Sequence, residues 1–303
     1  MPDTVLREAA LERIADALDS TGAYQVARRF RPRARYAEDD GTPTLTGLFV
    51  DVETTGLDSK ADAIIQLALV PFEYSPEDGR VFAVGEAQVH LEDPGRPVPP
   101  AVTALTGISD RDVAGRRIDD DAVGRLAADA HLVIAHNAAF DRPMMERRLD
   151  VFRERPWACS HTEVPWARHG IASAKLEYLL FRHCRAFAEG HRADEDAHAG
   201  VHVLATPFRS GERPLALLLA ASEKLTVRIW ATDAPFGCKA ALKARGYRWN
   251  PSENGRPRAW YADVDRETYE AEAAWLSAEV YCGTRGRWRR QVFGAMDRFS
   301  SRV

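Results

Sequence analysis

The feature that most constrains the fold is a short apolar run that ends in two acidic residues. Residues 47–53 read GLFVDVE, and Thr54–Thr55–Gly56 follows. A short apolar run followed by such a turn is typical of a strand in the core of a sheet. Asp51 and Glu53 are two residues apart, so on a strand both side chains point to the same face. We therefore expect a core strand that brings a site to its carboxyl end.

The segments around this run predict a sheet with helices packed on it. Apolar stretches at 63–74 and 80–91, separated by a turn signal at Pro76–Gly79, predict two more strands in a meander. Downstream, an apolar strand at 131–136 lies between helical patterns, and more helices follow it. This order predicts an α/β fold with a mixed sheet flanked by helices.

Texture along the chain predicts five segments. They are an N-terminal helix with a basic arm (1–44), the main domain (45–206), a connecting helix (207–225), a small α+β module (226–283) and a basic, aromatic tail (284–303). The arm contains five arginines between residues 28 and 35, and the module reads strand, helix, strand, turn, strand, helix. A length of 303 residues suits a main domain with a smaller one.

Composition and targeting signals narrow the class of protein. Apolar residues make up 45% and charged residues 28%, which is ordinary for a soluble globular protein. The chain has no run of about 18 apolar residues, and its charged N-terminus lacks the apolar core of a secretory signal. Its four cysteines are far apart and form no CxxC pair, which argues against a zinc ribbon or a disulfide framework. We expect a reduced, cytoplasmic protein without a membrane span.

The formal net charge of −4 does not favour a nucleic-acid partner, whose binding usually calls for a basic surface. The charges are unevenly distributed, however, since arginines cluster at 28–35 and at 285–290 while acidic residues fill the sequence between them. A site built from carboxylates that hold cations also makes the net charge a poor guide to the sign of the substrate.

Two later segments place more acidic residues beside predicted helices. The sequence HNAAFD ends in Asp141, in the first turn of a helix, where a carboxylate also suits the helix dipole. The sequence HRADEDA contains His191 and Asp196. Five residues along a helix rotate by about 140°, so these two would not share a helix face. We therefore expect His191 on a mobile loop, from which a general base could reach a reacting water.

Each piece alone has an ordinary structural explanation. Asp51 and Glu53 could be solvated acids at a strand end, and Asp141 could cap its helix. Two carboxylates on one face repel each other unless a cation lies between them, and Mg²⁺ and Mn²⁺ prefer oxygen ligands. The chemical interpretation depends on all the pieces meeting at one place.

Together and in this order, the three pieces resemble the exonuclease motifs of the DEDDh subgroup of the DnaQ-like superfamily. Proofreading epsilon subunits of bacterial replicative polymerases, ribonuclease T and oligoribonuclease belong to this superfamily. The motifs stand here as DVETTG, HNAAFD and HRADEDA, and the resemblance covers residues 45–206. It implies a ribonuclease H-like fold, two Mg²⁺ or Mn²⁺ ions, and 3′–5′ release of nucleoside 5′-monophosphates from a nucleic acid with a free 3′ end.

The resemblance also implies catalytic roles by position. Asp51 would bridge the two metal ions. Glu53 and Asp196 would help hold the ion nearer the attacking water, and Asp141 would serve the second ion. His191 would be the general base. Two cations close together stabilise both the attacking and the leaving oxygen of an in-line displacement.

Further residues are implied to bind the substrate. Backbone amides around Thr54–Gly56 would contact the terminal nucleotide, Leu57 would wedge against the last base, and residues 99–108 would shelter it. The set is Thr54, Thr55, Gly56, Leu57, Leu105, Thr106, His136 and Asn137. Thr106 stands where many relatives have histidine, and a helix-capping role for His136 is an equal alternative.

Several features outside the motifs have competing explanations. His198 and His202 have the HxxxH spacing of some zinc sites. A polar helix face explains them better, because the glutamate that serves as general base in HExxH is missing. The arm at 28–35 could contact phosphates, although charge runs are more often solvated surface. The tail at 284–303 could serve self-association as a homodimer.

The C-terminal module faintly resembles small domains found beside nucleic-acid enzymes. Its charged and aromatic residues suited to single strands are Arg248, Trp249, Arg258, Trp260 and Tyr261. The alternative is that tryptophans form the core of a small domain, which we favour for Trp230 and Trp275. For Trp249 and Trp260 the two explanations stay open.

The function that this sequence predicts is a two-metal 3′–5′ exonuclease, with single-stranded or frayed DNA favoured. The fused module and arm favour an enzyme of DNA repair or replication over a minimal RNA trimmer. A 3′–5′ exoribonuclease is the alternative, since no single residue decides how a 2′-hydroxyl is accommodated. A catalytically inactive nucleic-acid-binding protein is a remote third hypothesis, because all five catalytic residues are present.

Overall fold

The computed structural model describes residues 2–188, 190, 192–252, 255–283 and 288–303. They form two compact units: the first comprises residues 1–219 and 299–301, and the second comprises residues 220–298 and 302–303. Across these described ranges, no helix is both long and apolar enough to cross a membrane. The finer division into five segments stays a prediction.

The first unit is built on a mixed sheet. Its strands are β1 (Arg28–Arg29), β2 (Leu45–Thr54), β3 (Ile64–Tyr74), β4 (Val81–Val84), β5 (Gln88–Leu91), β6 (Leu132–Ala135), β7 (Trp157–Cys159) and β8 (Ala186–Phe187). Six of them form the main sheet in the order β4-β3-β2-β6-β7, with β5 also pairing with β3. Strand β3 runs antiparallel to β2, whereas β6 and β7 continue the sheet in parallel.

The single strand expected at 80–91 is divided into β4 and β5. Strand β4 pairs with the late part of β3, and β5 pairs with its early part. Pro71 of β3 lies between the two pairings, and a proline has no N–H to donate to a ladder. At this point the chain leaves the ladder, and Gly85 donates its N–H to the Pro71 carbonyl.

Helices cover both faces of this sheet. They are α1 (Pro2–Ser20), α2 (Pro100–Thr106), α3 (Asp110–Val113), α4 (Asp120–Asp129), α5 (Ala138–Arg148), α6 (Leu176–Arg182), α7 (Ala193–Ala205) and α8 (Pro214–Glu223). Phe49 of β2 packs in one core cluster with residues of α6, α7 and α8, while Leu48 and Val50 pack with α4 and α5 on the opposite face. The predicted fold class, a ribonuclease H-like mixed sheet flanked by helices, is confirmed.

The segment predicted as an arm is anchored to the first unit. Strand β1 pairs in parallel with β8, and Phe30 and Tyr36 pack against the core cluster around Phe49. Arg28 forms ion pairs with Glu12 and Asp16 of α1. Aromatic residues within and just after the run of arginines therefore hold this stretch against the sheet and helices, which the charge pattern did not indicate.

The second unit is a four-stranded antiparallel sheet with helices. Its elements are β9 (Thr226–Ala231), α9 (Lys239–Ala244), β10 (Arg248–Asn250), β11 (Ala259–Asp265), α10 (Tyr269–Trp275) and β12 (Arg289–Phe293), and residues Leu276–Val280 continue α10 as a π-helical turn. The strand order is β10-β11-β9-β12. The stretch predicted as a tail thus contributes an edge strand, whose arginines are the kind of residue that protects an exposed edge.

Candidate active site

Three carboxylates from two elements converge at the carboxyl end of β2. Asp51 and Glu53 leave the same face of this central strand, and Asp196 reaches them from the first turn of α7. One oxygen of each lies within 4.8 Å of the others, and all three residues are partly buried. The sequence separates Asp196 from the pair by more than 140 residues, so this convergence is a product of the fold.

Close packing brings α7 onto β2. Gly200 lies one helical turn after Asp196, and a Cβ atom there would overlap the ring of Phe49, two residues before Asp51. Gln66 of β3, which pairs with Glu53, accepts a hydrogen bond from the Ala193 N–H at 3.2 Å and so ties the start of α7 to the sheet. Sequence reasoning missed both Gly200 and Gln66, because neither carries a charge or belongs to a chemical motif.

Asp141 completes the acidic group from the other face of the sheet. It lies in the first turn of α5, which follows β6, the parallel neighbour of β2, and therefore begins at the same edge. Its side chain is buried, and burial raises its pKa to about 8, while hydrogen bonds from the backbone N–H groups of Val52 and Asp141 act in the opposite direction. Asn137 starts the helix in a left-handed conformation with φ of 95°.

The acids perturb each other strongly. Burial, followed by the charges of Asp141, Asp196 and Glu53, raises the pKa of Asp51 well above its usual range. Burial and then the charge of Asp196 raise the pKa of Glu53 to about 7. Such a group is costly to ionise alone, and hard divalent cations take carboxylate oxygens as ligands in their deprotonated form. The donor set therefore fits a divalent cation.

The loop after β2 is held rigidly by side chains that the motif did not point to. Thr55 Oγ1 donates to Asp62, while Arg96 donates to both Thr55 Oγ1 (2.6 Å) and Asp62 (2.8 Å). A Cβ atom on Gly56 would meet the Asp62 carboxylate at 2.5 Å, so any larger residue there would force Asp62 to shift. Thr54 Oγ1 donates to the Gly56 carbonyl. Both threonine hydroxyls therefore shape the loop.

The residues expected to touch the substrate differ in exposure. Leu57 is 87% exposed and Leu105 is 56% exposed, so both have free apolar surface. Thr106 is buried at the end of α2, where its hydroxyl donates to the Val102 carbonyl and accepts from the Ile108 N–H. Both hydrogen-bonding roles of the Thr106 hydroxyl are thus filled within the fold, at a position where histidine was expected. His191, the predicted base, lies outside the described residues.

His136 has both ring nitrogens engaged within the fold. Nδ1 lies 2.8 Å from Ser160 Oγ, and Nε2 lies 2.8 Å from the Ala174 carbonyl, to which it donates. Burial lowers the pKa of this imidazole to about 4, so the ring is neutral. These contacts give it a structural role, joining β6 to the segment before α6.

The histidine pair considered for zinc is arranged differently from a metal site. His202 Nδ1 lies 2.9 Å from the Tyr36 hydroxyl, and the ring packs near Phe30. Among the described residues, clustered metal-ligating side chains are found at Asp51, Glu53 and Asp196, and the pair at His198 and His202 does not form such a group.

The second unit exposes aromatic and cationic side chains on its β10 edge. Trp249 is 47% exposed and lies edge-on to Trp260, with ring centroids 5.6 Å apart. The Arg248 guanidinium lies 4.8 Å from the Tyr261 ring centroid, and Arg258 is exposed nearby in sequence. By contrast Trp230 is buried. Trp275 is half-buried, and it packs against the core of this unit.

Known proteins match the part of the chain that contains the acids. The model of the RNase T family, described as exonuclease, matches residues 48–204, just over half of the chain. A DNA polymerase III PolC-type from Clostridium perfringens (strain 13 / Type A) is 29% identical over 191 residues, 57% of this chain and 13% of the relative. A DNA polymerase III subunit epsilon-like protein from Rhodobacter capsulatus is 38% identical over 113 residues, 34% of this chain and 14% of the relative. The chain thus spans a small part of the length of these relatives.

Solved structures give distant matches. Exonuclease X in complex with 5′ overhanging duplex DNA has a TM-score of 0.39 and 21% identity, covering 58% of this chain and 90% of that one. E. coli Exonuclease I in complex with a dA16 oligonucleotide has a TM-score of 0.46 and 16% identity, covering 73% of this chain and 63% of that one.

Proposed function

The chain belongs to the exonuclease family whose model matches residues 48–204, and from this we propose that it is a divalent-cation-dependent 3′–5′ exonuclease. It releases nucleoside 5′-monophosphates from nucleic-acid 3′ ends. The observation that carries the proposal is the convergence of Asp51, Glu53 and Asp196 within 4.8 Å. Buried Asp141 adds a fourth acid that acts electrostatically on Asp51.

The proposed division of roles follows from the position of each acid. Asp51 lies within the influence of Asp141, Asp196 and Glu53, which suits a ligand shared between two cations. Glu53 and Asp196 would hold one cation, and Asp141 would serve the other from α5. Mg²⁺ or Mn²⁺ bound there would stabilise the charge that develops on the scissile phosphate. His191 keeps the role of general base, two residues before α7 begins.

Single-stranded or frayed DNA is the substrate that we favour. The support is that the matched relatives are a DNA polymerase III PolC-type and an epsilon-like subunit. The exposed side chain of Leu57 at the rim of the site gives an apolar surface for the last base. RNA is the other outcome of the experiment that tests this choice.

The test follows 5′-labelled single- and double-stranded DNA and RNA with Mg²⁺ or Mn²⁺. We expect a ladder that shortens from the 3′ end, with nucleoside 5′-monophosphates as products. Asp51→Asn should lower the rate by roughly a thousandfold or more, because several kcal/mol of charge stabilisation are lost.

The matched control is Glu73→Gln, which neutralises an exposed acid on β3 of the same sheet and should leave the rate unchanged. A labelled internal fragment of fixed size would indicate an endonuclease. Near-normal activity of Asp51→Asn would remove the acidic group from the mechanism.

We also propose that the β10 edge of the second unit binds single-stranded nucleic acid. Trp249 supplies an exposed ring for base stacking, and Arg248 and Arg258 supply charge for the backbone. Residues 220–298 contain fourteen Lys and Arg against ten Asp and Glu, although the whole chain carries −4. This local excess of positive charge suits a polyanion.

Trp249→Ala should weaken binding of a labelled oligo(dT) by roughly tenfold in fluorescence anisotropy, since stacking contributes about 1–3 kcal/mol per base. Turnover of a saturating substrate should not change. Val292→Ala, an exposed apolar residue on the opposite edge of the same sheet, is the control. Equal affinity of Trp249→Ala and the control would refute a stacking role.

A further inference from the structure

A cavity of about 470 Å³ lies in the first unit, apart from the acidic group. It is bounded by the turn Trp166–His169, the end of α6 and the segment after α7. The side chains that decide its chemistry are Arg168, His169, Arg182, His183, Phe208 and Arg209. This volume falls within the range of sites for small organic ligands.

One wall of the cavity is an aromatic stack. Phe208 is buried, and its ring is parallel to His169, with centroids 3.7 Å apart and an angle of 5°. Trp166 meets Phe208 edge-on at 5.6 Å. His183 Nε2 donates to the Thr206 carbonyl at 2.8 Å, which ties α6 to the segment after α7. The lining is therefore formed before any ligand binds.

The rim is cationic. Arg168, Arg182 and Arg209 are all exposed, and Arg182 donates to the amide oxygen of Gln25 at 2.9 Å. In the part of the chain that the structure describes, neither Arg168 nor Arg209 forms an ion pair. Other arginines of the first unit do pair with carboxylates, as Arg148 does with Glu92.

A carboxylate lies beside this region. Glu212 lies 3.5 Å from His169 Nε2. It does not offset three guanidinium charges, and like charges around one cavity repel each other. An anion held between the arginines would relieve that repulsion. Guanidinium groups match phosphate oxygens with paired N–H donors, which makes a phosphate the anion that this rim fits best.

The cavity is separate from the acidic group. Asp196 lies in the first turn of α7, whereas Thr206 follows its last residue, ten residues further on. At about 1.5 Å per residue, this places roughly 15 Å along the helix axis between Asp196 and Thr206. A molecule bound in the cavity would therefore not contact the carboxylates of the acidic group.

We propose that this cavity is a second, cation-independent site that binds the phosphate group of a nucleotide. Arg168 and Arg209 hold the phosphate, and the stacked His169 and Phe208 form the wall beside it. The phosphate can come from a free mononucleotide or from a strand, and both sources present the same chemistry to the arginines.

The test measures binding of deoxyadenosine 5′-monophosphate to the full chain by calorimetry in EDTA. Chelation removes the cations through which the carboxylates would hold a phosphate, so the acidic group does not contribute. We expect saturable binding that adenosine, which lacks the phosphate, does not show. Arg168→Ala/Arg209→Ala should weaken it by about tenfold or more, and should melt like the parent.

The control is Arg111→Ala/Arg125→Ala, which removes the same charge from exposed helix positions elsewhere in the first unit. A second titration, with oligo(dT), shows whether the phosphate comes from a free mononucleotide or from a strand. Binding of the mononucleotide indicates a free nucleotide, whereas binding of the strand alone, weakened in Arg168→Ala/Arg209→Ala, indicates a phosphodiester. The proposal is overturned if nothing binds in EDTA, or if both double variants lose affinity equally.

Discussion

His202, a buried and neutral histidine of α7, links pH to the stability of the fold. The Tyr36 hydroxyl lies 2.9 Å from His202 Nδ1, and the side chain is almost completely buried. Burial first, and then the charges of Arg33 and His183, lower the pKa of His202 to about 4. In the unfolded chain the same imidazole returns to its ordinary pKa near 6.5.

The direction of the effect follows from these two pKa values. Between about pH 6.5 and pH 4 the unfolded state binds a proton that the folded state does not. The contribution of His202 is therefore complete above pH 6.5 and is lost as the pH falls through this window, by at most about 1.4 kcal/mol per pH unit. Melting temperatures from pH 7.5 to 4.5 should fall more steeply for the parent than for His202→Gln.

The control is His131→Gln, since His131 is exposed on the surface. Its melting profile should follow that of the parent at every pH. Parallel profiles for the parent and His202→Gln would contradict a role for this imidazole.

At the same scale, the sequence predicted the acids but not what surrounds them. Asp51, Glu53, Asp141 and Asp196 stand in ordered motifs, and the structure brings them together. Arg96 and Gln66 could not be predicted, because one shapes a loop from 41 residues away and the other acts through a single hydrogen bond. Their roles depend on which residues the sheet makes neighbours.

At the scale of elements, helix α7 positions Asp196, and one glycine sets the distance between this helix and β2. Ala193 begins the helix at Gln66, Asp196 faces the acids, and Gly200 lies against Phe49. Glycine is normally a poor helix residue, by about 1 kcal/mol relative to alanine. Its presence in a buried helix is explained by the need for close approach.

Gly200→Ala should therefore destabilise the protein despite the gain in helix propensity. We expect a net loss of about 1–3 kcal/mol in the free energy of unfolding, because the added methyl group overpacks the ring of Phe49. Displacing α7 should also reduce the gain in the free energy of unfolding that added Mn²⁺ produces. Chemical denaturation with and without Mn²⁺ measures both effects.

Gly124→Ala in α4 is the matched control, because a Cβ atom there meets nothing within 4 Å. That variant should be neutral or slightly more stable. Adding Phe49→Leu to Gly200→Ala should recover part of the loss. If Gly200→Ala were as stable as Gly124→Ala, close packing would not explain the glycine.

Periodicity predicted most elements, and the misses share one cause. Helices such as α5 and α7 and strands such as β2, β3 and β6 lie where their apolar patterns indicated. The segment 80–91 was wrongly predicted as one strand, since the interruption comes from Pro71 on the neighbouring strand. Strand β12 was missed because it is an edge strand rich in arginine, and its partner β9 lies far away in sequence. The sequence of one segment shows its hydrophobic period, but it does not show which strand the segment pairs with.

At the scale of the whole molecule, charge is divided between the sequences of the two units. Residues 220–298 carry more Lys and Arg than Asp and Glu, and the rest of the chain more than reverses this balance. In the proposed function, an acidic group that would hold cations and a positively charged module both serve a polyanionic substrate. Under that proposal, the net charge of the whole chain is a poor guide to the sign of the substrate.

Strand β12 has a consequence for the order in which the chain can fold during synthesis. Its partner β9 leaves the ribosome about sixty residues earlier, with Val227 destined to pair with Val292. At roughly 5–20 residues per second, one edge of β9 waits several seconds for its neighbour. During translation β9 of the nascent second unit therefore presents an open strand edge until β12 has been synthesised.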